Sequence, residues 1–302
     1  MKKKNKGFIL IFVLGFSLIF TSLVLFFNYK TKKYLESFKI YYDFIEMDRI
    51  SDIGFEIAKK ILEKDENNYD WINENWTKER IFKFENYELY IKIEDENSKI
   101  NINKIIEEKG KTNQLLLDIF KNLITILEYP TNILDCLLDW IDEDNLPRVS
   151  GAEDLAYSIE GLGYVPPNRN LLSLKELLLI KGFNKEIVYG NEEKKGLLDF
   201  ITIYSDDKIN INTCKNEILN SIGFTNEQVN RIIEERENRP LDERFLLEIN
   251  RNIFLKNKSL IKYKSNYFHI FIKVKNEKGE EKIIDGILKK DKTVDLIKKG
   301  IL

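Results

Sequence analysis

Six carboxylates lie close together in the stretch LLDWIDEDNLPRVSGAEDLAY, which runs from Leu137 to Tyr157. They fall between Asp139 and Asp154, and a single basic residue, Arg148, accompanies them. Acids at this density can form a solvated loop with helix caps, a catalytic carboxylate pair, or a set of oxygen ligands for a hard cation. The neighbouring residues, and the elements that hold them, decide among these three.

The surroundings of these acids do not favour a catalytic pair. The chain contains one histidine, His269, and neither a nucleophile motif nor a phosphate-binding loop lies near the stretch. The carboxylates are also too numerous for one pair with separately tuned pKa values. A single histidine likewise excludes a multi-histidine metal site.

A hard divalent cation accounts for the whole cluster. Calcium takes about six to eight oxygen ligands at roughly 2.3–2.6 Å, and magnesium is less suited to a site this rich in protein oxygens. The spacing is not that of an EF-hand, because no Asp-Gly pair follows the first aspartates. The expected ligands are Asp142, Asp144, Glu153 and Asp154, with Asp139 and the carbonyl of Val149 as further candidates.

A helix is predicted immediately before the first of these acids. Apolar residues at helical spacing mark it: Ile133, Leu134, Leu137, Leu138 and Ile141. Carboxylates at the negative end of a helix cost roughly 0.3–1 kcal/mol each, so a positive group should compensate them. Residues 145–147 break the helix, and residues 150–153 have the form of a capping box. On that simpler interpretation Glu153 and Asp154 are only first-turn acids.

The first thirty residues predict a membrane anchor. Four lysines precede Gly7, and an uncharged apolar run follows from Phe8 to Phe27. Twenty residues at about 1.5 Å each cover a bilayer core of roughly 30 Å. The lysines should stay in the cytoplasm, so that everything after Asn28 is exported. A cleavable secretory signal is the weaker interpretation, since no small-residue cleavage site follows the run.

Length and composition indicate a folded protein of two modest domains. The 302 residues are 43% hydrophobic, and 48 Lys and Arg nearly balance 50 Asp and Glu, which leaves no global attraction to nucleic acid. The two cysteines, Cys136 and Cys214, could form one disulfide outside the cytosol or remain two buried thiols.

The fold class predicted is α+β. Apolar residues from Tyr34 to Leu62 recur at helical spacing (Tyr34, Phe38, Tyr41, Ile45, Ile50, Ile53, Ile57 and Ile61), so the anchor should continue as a long amphipathic helix. Residues 80–93 read as a hairpin, and residues 265–274 and 282–289 as two more strands. We expect one small antiparallel sheet, packed on this helix and interrupted by a large all-α insertion. His269 should be a half-buried strand residue.

The insertion begins twice in the same way. SKININK (98–104) and DKININT (207–213) each place Ile-Asn-Ile-Asn before a helix, with Asn103 and Asn212 as expected N-caps. The second copy resembles a helix-hairpin-helix unit, which can bind DNA phosphates. Its turn SIGFTNEQ, however, has Thr225 where a second glycine would allow close approach. Residues 207–255 also carry seven Lys and Arg against nine Asp and Glu, so nucleic acid is not an expected partner.

Two motifs carry a resemblance to a known family. Gly7-Phe8 is similar to the end of a type IV prepilin leader, with Phe12 where most pilins have Glu. The pattern D-W-I-D-x-D-x-x-P-x-x-x-G-A-E-D, from Asp139 to Asp154, resembles the signature of the type II secretion minor pseudopilin K family. Tyr157 stands where that family usually has a Tyr-Tyr pair.

The resemblance implies a type IV pilin-like fold whose insertion contains SAM-like or helix-hairpin-helix units and carries structural calcium. The implied divisions are a leader (1–7), a transmembrane helix (8–27), a pilin-like domain (28–97 and 263–302), a first helical unit with the calcium loop (98–206) and a second unit (207–262). A prepilin peptidase would cut after Gly7 and methylate Phe8.

The resemblance also implies a non-enzymatic subunit at the pseudopilus tip, which starts filament assembly and supports protein export. Its partners would be minor pseudopilins I, J and H, the major pseudopilin and the inner-membrane assembly platform. The protein would cross the inner membrane once, with its C-terminal bulk in the periplasm. The alternative is a membrane-anchored helix-hairpin-helix DNA receptor of a competence system.

Overall fold

One long helix, α1 (Asn5–Glu63), joins the apolar N-terminal run to the rest of the chain. The structure, a computed structural model, describes residues 5–107 and 110–300, so residues 1–4 of the predicted leader lie outside the described residues. With 59 residues, α1 is about 88 Å long at about 1.5 Å per residue. Within the described residues it is the one helix that is long and apolar enough to cross a membrane.

Only the C-terminal third of α1 contributes to the core. Met47, Phe55, Ala58 and Leu62 are buried there, together with Ile50 from the predicted stripe. The first four members of that stripe, from Tyr34 to Ile45, are exposed. The predicted long helix is therefore confirmed, but the predicted stripe is not its buried face, because only Ile50 of the eight stripe residues is buried.

Nine short or medium strands occur in the described residues. They are β1 (Arg80–Phe84), β2 (Tyr87–Asp95), β3 (Ile100–Asn101), β4 (Ile201–Thr202), β5 (Ile209–Asn210), β6 (Ile261–Lys262), β7 (Tyr267–Asn276), β8 (Glu281–Lys290) and β9 (Val294–Lys299). Five of them form one antiparallel sheet in the order β1-β2-β7-β8-β9. The predicted hairpin and the pair of late strands are confirmed, and β9 was not predicted.

The sheet packs on α1 through alternate residues of its central strand, β7. Phe268, Ile270, Ile272 and Val274 are fully buried, as their shared face predicts. His269 points to the other face, where its side chain is 17% exposed and its Nε2 lies 3.0 Å from Asp285. This confirms the half-buried strand position.

Two carboxylates influence the protonation of this histidine. Burial lowers the pKa of His269, but hydrogen bonds to Glu94 and Asp285 outweigh burial and raise it above its ordinary value. The same contact with His269 lowers the pKa of Glu94. The imidazole therefore gains its proton more readily in the folded protein than in the unfolded chain.

The insertion between β2 and β7 has its own hydrophobic core, separate from the core under α1. Its helices are α2 (Gln114–Ile126), α3 (Ile133–Ile141), α4 (Asp154–Ile159), α5 (Lys185–Tyr189), α6 (Asn216–Ile222), α7 (Asn226–Asn238) and α8 (Glu243–Asn257). The chain leaves and re-enters the sheet at neighbouring positions, because Asp95 pairs with Phe268. The architecture is the α+β arrangement that the sequence predicts, except that the insertion, expected to be all-α, also contains the two-residue strands β3 to β6.

The internal repeat is visible in the pairing of four two-residue strands. β3 pairs in parallel with β4, and β5 pairs in parallel with β6. At the start of each copy one asparagine caps the following turn: Asn101 Oδ1 accepts the Asn103 N–H at 3.0 Å, and Asn210 Oδ1 accepts the Asn212 N–H at 3.0 Å. The two copies thus open with the same hydrogen bond.

The N-cap assignment of Asn103 and Asn212 is wrong. Asn103 Oδ1 accepts the N–H of Leu171 at 2.9 Å, and Asn212 Oδ1 accepts the N–H of Leu241 at 2.8 Å. Both amides are buried, and each serves a backbone group from a distant part of the chain. A buried N–H must find an acceptor, so these tertiary contacts take precedence over local capping.

The predicted pair of helices with a short turn is present, with α6 and α7 joined through Gly223 at a φ of 118°. Thr225 caps α7 in a capping box: its Oγ1 accepts the Gln228 N–H at 3.3 Å, and Gln228 Oε1 accepts the Thr225 N–H at 3.1 Å. Two N–H groups that a DNA phosphate would use are therefore occupied by the protein's own side chains.

Both cysteines are free and buried in the structure. Of the two states that the sequence left open, the structure contains the pair of unlinked thiols. Burial raises the pKa of Cys136 to about 11 and that of Cys214 to about 11. Neither thiol is therefore ionised near neutral pH.

Candidate cation site in the helical insertion

Helix α3 places two of the acids at the edge of the insertion core. Its apolar residues are buried, and it ends at Ile141, so that Asp142 is the C-cap, with its N–H donated to the Leu138 carbonyl at 2.9 Å. Asp139 lies in the last turn and is completely buried. The sequence therefore predicted correctly that Asp142 and Asp144 follow a helix C-terminus, where negative charge needs compensation.

Arg148 supplies part of that compensation. Its Nη1 lies 2.7 Å from Asp139 Oδ1 and also contacts Asp142, and its backbone N–H donates to Asp139 Oδ2 at 3.2 Å. Asp139 is thus already held by a guanidinium and a backbone N–H. Gly151 makes this close approach possible, because a Cβ at that position would lie 1.8 Å from Asp139 Oδ2.

The structure changes the interpretation of Glu153. Helix α4 begins at Asp154, and Glu153 precedes it without making a side-chain cap, so the capping box expected over residues 150–153 is wrong. The Ser150 N–H donates instead to Asp135 Oδ2 at 3.0 Å, which ties this segment back to α3. Glu153 is only 5% exposed, and neither of its carboxylate oxygens has a hydrogen-bond partner among the described residues. It is therefore not a solvated first-turn acid.

Three of the predicted ligands meet at one point. Asp142, Asp144 and Glu153 each contribute a carboxylate oxygen, and these oxygens lie within 4.8 Å of one another. Asp142 Oδ1 is buried and, like the oxygens of Glu153, lacks a partner in the described part of the chain. Oxygens on opposite sides of a calcium ion are separated by roughly 4.6–5.2 Å, twice the usual bond length. The arrangement fits a cation of this size, and its orphaned oxygens are the atoms that would bind it.

The local electrostatics agree with this fit. Burial raises the pKa of Glu153 to about 7, and the charges of Asp139, Asp142, Asp144 and Asp154 add to the effect. Burial also raises the pKa of Asp142, although Arg148 opposes the shift. Because like charges and burial both disfavour ionised carboxylates here, a divalent cation would relieve a real electrostatic cost.

The other two predicted acids, Asp139 and Asp154, do not belong to this group of three. Asp154 Oδ2 is 3.5 Å from the side-chain nitrogen of Asn145, and the side chain of Val149 is fully exposed. Asp144 itself is exposed, with Oδ1 accepting the Leu146 N–H at 2.8 Å. The predicted processing residues, Gly7 and Phe8, are both exposed in the first turns of α1.

One residue of the site was not predicted. Asn168 donates its side-chain N–H groups to the Asp144 carbonyl at 2.9 Å and to Asn145 Oδ1 at 3.0 Å. Its backbone has a φ of 48°, a conformation that asparagine tolerates better than most residues. Asn168 thus binds the acidic loop from a distant segment of the chain. No local sequence signal could indicate this contact.

Comparison with protein families gives one match inside the insertion. Residues 98–191, which contain the acidic loop, match the family described as Type II secretion system (T2SS), protein K. Among curated proteins, the type II secretion system protein K of Klebsiella pneumoniae is 25% identical over 170 residues, or 52% of this chain and 50% of that protein. The same-named protein of Dickeya chrysanthemi is 30% identical over 101 residues, or 32% of this chain and 26% of that protein. The chain thus aligns with about half, or less, of the length of these relatives.

A solved structure covers more of the chain. A chain from the GspK-GspI-GspJ complex of the enterotoxigenic Escherichia coli Type 2 Secretion System superposes with a TM-score of 0.68. The match covers 85% of this chain and 96% of that one, at 16% sequence identity. At this identity the likeness is one of fold.

Proposed function

We propose that this chain is a type II secretion system protein K, the minor pseudopilin at the tip of the secretion pseudopilus, because residues 98–191 match that family and the fold matches a solved GspK chain. There it starts filament assembly and supports protein export. The observation that carries the proposal is the exposed apolar surface of α1, which continues beyond the membrane-spanning length. Phe38, Tyr41 and Phe44 remain more than half exposed, which is costly in water and suits burial against other helices.

The assembly partners follow from this surface. The solved relative is named as part of a complex with two other subunits, and we propose that minor pseudopilins I and J pack against α1 of this chain. Minor pseudopilin H, the major pseudopilin and the assembly platform would follow as the filament grows. Phe12 supports a position at the tip. A subunit with no neighbour above it needs no intramembrane glutamate to pair with an adjacent N-terminus.

The position of α1 also supports a location. The helix would cross the inner membrane once between Phe8 and Phe27, with the sheet and insertion in the periplasm. This role requires binding surfaces and no catalytic chemistry, so the protein would act without enzymatic activity.

The proposal is tested by the intact mass of the mature chain, purified from its own host's membranes. A chain beginning at N-methylated Phe8 is expected, and a host strain without its prepilin peptidase should retain Met1. If the wild-type host also retains Met1, the filament role is wrong, and DNA binding by α6 and α7 becomes the function to test.

We further propose that calcium binds at Asp142, Asp144 and Glu153, with Asp154, Asp139 and the Val149 carbonyl as the other predicted ligands. The ion would supply positive charge at the orphaned carboxylate oxygens and hold the loop between α3 and α4. Asp144→Ala should lower the melting temperature of the full chain in calcium and change it little in EDTA. Glu143→Ala, which removes an exposed acid outside the group of three, is the matched control. Equal losses with and without calcium would exclude the site.

A further inference from the structure

A second group of acids lies outside the insertion, in the segment between α1 and β1. Asp65, Asp70 and Glu74 each contribute a carboxylate oxygen, and these oxygens lie within 4.8 Å of one another. Asp70 is completely buried, Glu74 is 6% exposed, and Asp65 is partly buried. The family model covers residues 98–191 and does not reach this segment.

Asp70 has one carboxylate oxygen without a hydrogen-bond partner. Its N–H donates to the Tyr263 carbonyl at 2.8 Å, and its Oδ2 accepts the Ser265 N–H at 2.7 Å. Oδ1 is buried and has no partner in residues 5–107 and 110–300. An unpaired buried carboxylate oxygen is expensive, and this one belongs to a side chain already within reach of two other acids. The orphaned oxygen is therefore available as an acceptor for a cation.

The other two carboxylates are oriented by fixed donors. Glu74 Oε1 accepts from the Asn67 side chain at 2.7 Å, and its Oε2 accepts from the Trp76 indole at 2.5 Å. Lys290 Nζ donates to Asp65 Oδ2 at 2.7 Å and to the Asp65 carbonyl at 2.6 Å. Each of these carboxylate oxygens retains a lone pair beyond the bond that it accepts. The cluster is therefore preorganised for a cation.

The charge of the cluster matches a divalent ion. Lys290 offsets one of the three carboxylates, and no salt bridge reaches Asp70 or Glu74 in the described parts of the chain. Two formal negative charges therefore remain. Burial and the neighbouring charges of Asp95 and Asp65 raise the pKa of Asp70, and a divalent ion would offset both effects.

We propose that Asp65, Asp70 and Glu74 form a second calcium site, separate from the one in the insertion. Calcium is favoured over magnesium because magnesium demands a nearly ideal octahedron at about 2.0–2.1 Å, whereas calcium accepts irregular sets of protein oxygens. The ion would connect the segment after α1 to residues 263–265 and, through Lys290, to the end of β8. It would thus stiffen the joint between the membrane-anchored helix and the sheet.

Calcium binding to the full chain in detergent micelles, measured by equilibrium dialysis with radioactive calcium, tests the proposal. All proteins carry Glu153→Gln, which disables the site in the insertion. Asp70→Asn should bind one calcium ion fewer per chain than this parent. Glu66→Gln, which neutralises an exposed acid of the same segment, should bind the same number as the parent. Equal binding by Asp70→Asn and the parent would overturn the second site.

A stability measurement keeps the test decisive if Asp70→Asn folds poorly. Asp65→Asn alters a less buried member of the cluster, and it should lower the melting temperature in calcium more than in EDTA. Asp70→Asn, if folded, should be at least as stable as the parent in EDTA, because a buried charge is removed, and less stable in calcium. If calcium does not change the effect of either substitution, the acids are a buried polar cluster without an ion and the proposal is wrong.

Discussion

Removing the buried amide of Asn103 should destabilise the protein about twice as much as removing that of Asn212. Each amide accepts a backbone N–H, from Leu171 in the first case and from Leu241 in the second. The Asn103 side chain also donates to the Leu171 carbonyl at 2.9 Å, whereas Asn212 Nδ2 has no partner among the described residues. Asn103→Ala therefore leaves two buried backbone groups unpaired, and Asn212→Ala leaves one.

The size of the effect follows from the cost of an unpaired buried group, about 1–3 kcal/mol. Asn103→Ala should lower the free energy of unfolding by roughly 2–6 kcal/mol and Asn212→Ala by roughly 1–3 kcal/mol. Both substitutions delete the same atoms, so the cavity contribution largely cancels in the comparison. At roughly 2–4 °C per kcal/mol, the melting temperatures of the two variants should differ by about 6 °C.

Urea unfolding of the full chain in detergent, followed by tryptophan fluorescence at constant calcium, measures both values. Asn252→Ala, on an exposed face of α8, should stay within about 0.5 kcal/mol of the wild type. The reasoning is refuted if Asn212→Ala costs as much as Asn103→Ala, since the count of unpaired groups would then not decide stability.

Two neighbouring carboxylates hold the pKa of His269 above its ordinary value of 6.5 despite burial. The contribution of protonated His269 to stability should therefore be complete below pH 6.5, and it should be lost as the pH rises through the raised pKa. His269→Gln should remove that decline, and urea unfolding across this pH range would detect it. Phe268→Ala should lower the free energy of unfolding by about 3–5 kcal/mol, because the ring is fully buried under α1. A smaller loss of stability, measured by thermal unfolding, would mean that neighbouring side chains fill the cavity. Cys136 and Cys214 should resist alkylation in the folded chain, and both should react after unfolding without reductant. A mass spectrum showing a disulfide between them would contradict this.

Local patterns predicted most of the framework. The apolar spacing in α3, the alternation in β7 and the breaking residues around Pro147 each act within a few positions, so the elements they indicate appear where expected. The motif from Asp139 to Asp154 also indicated that several acids gather, and three of them do.

The long-range contacts could not be predicted in the same way. The orphaned oxygens of Glu153 depend on how α4 packs, and Asn168 reaches the loop from outside the motif. Asn103 carries an ordinary capping signal, which a backbone group from a distant segment overrides. Each of these outcomes depends on which segments meet in three dimensions, and a pattern read along the chain does not contain that information.

The pairing of Asp95 with Phe268 has a consequence for the order of folding. In the unfolded chain the whole insertion separates β2 from β7, so closing the sheet first would cost much loop entropy. Once the insertion has folded on its own core, its two ends already lie side by side, and the sheet can close across a short gap. The insertion should therefore fold before the sheet that surrounds it in sequence. Until β7 has formed, β2 would then be paired with β1 on one edge and unpaired on the other.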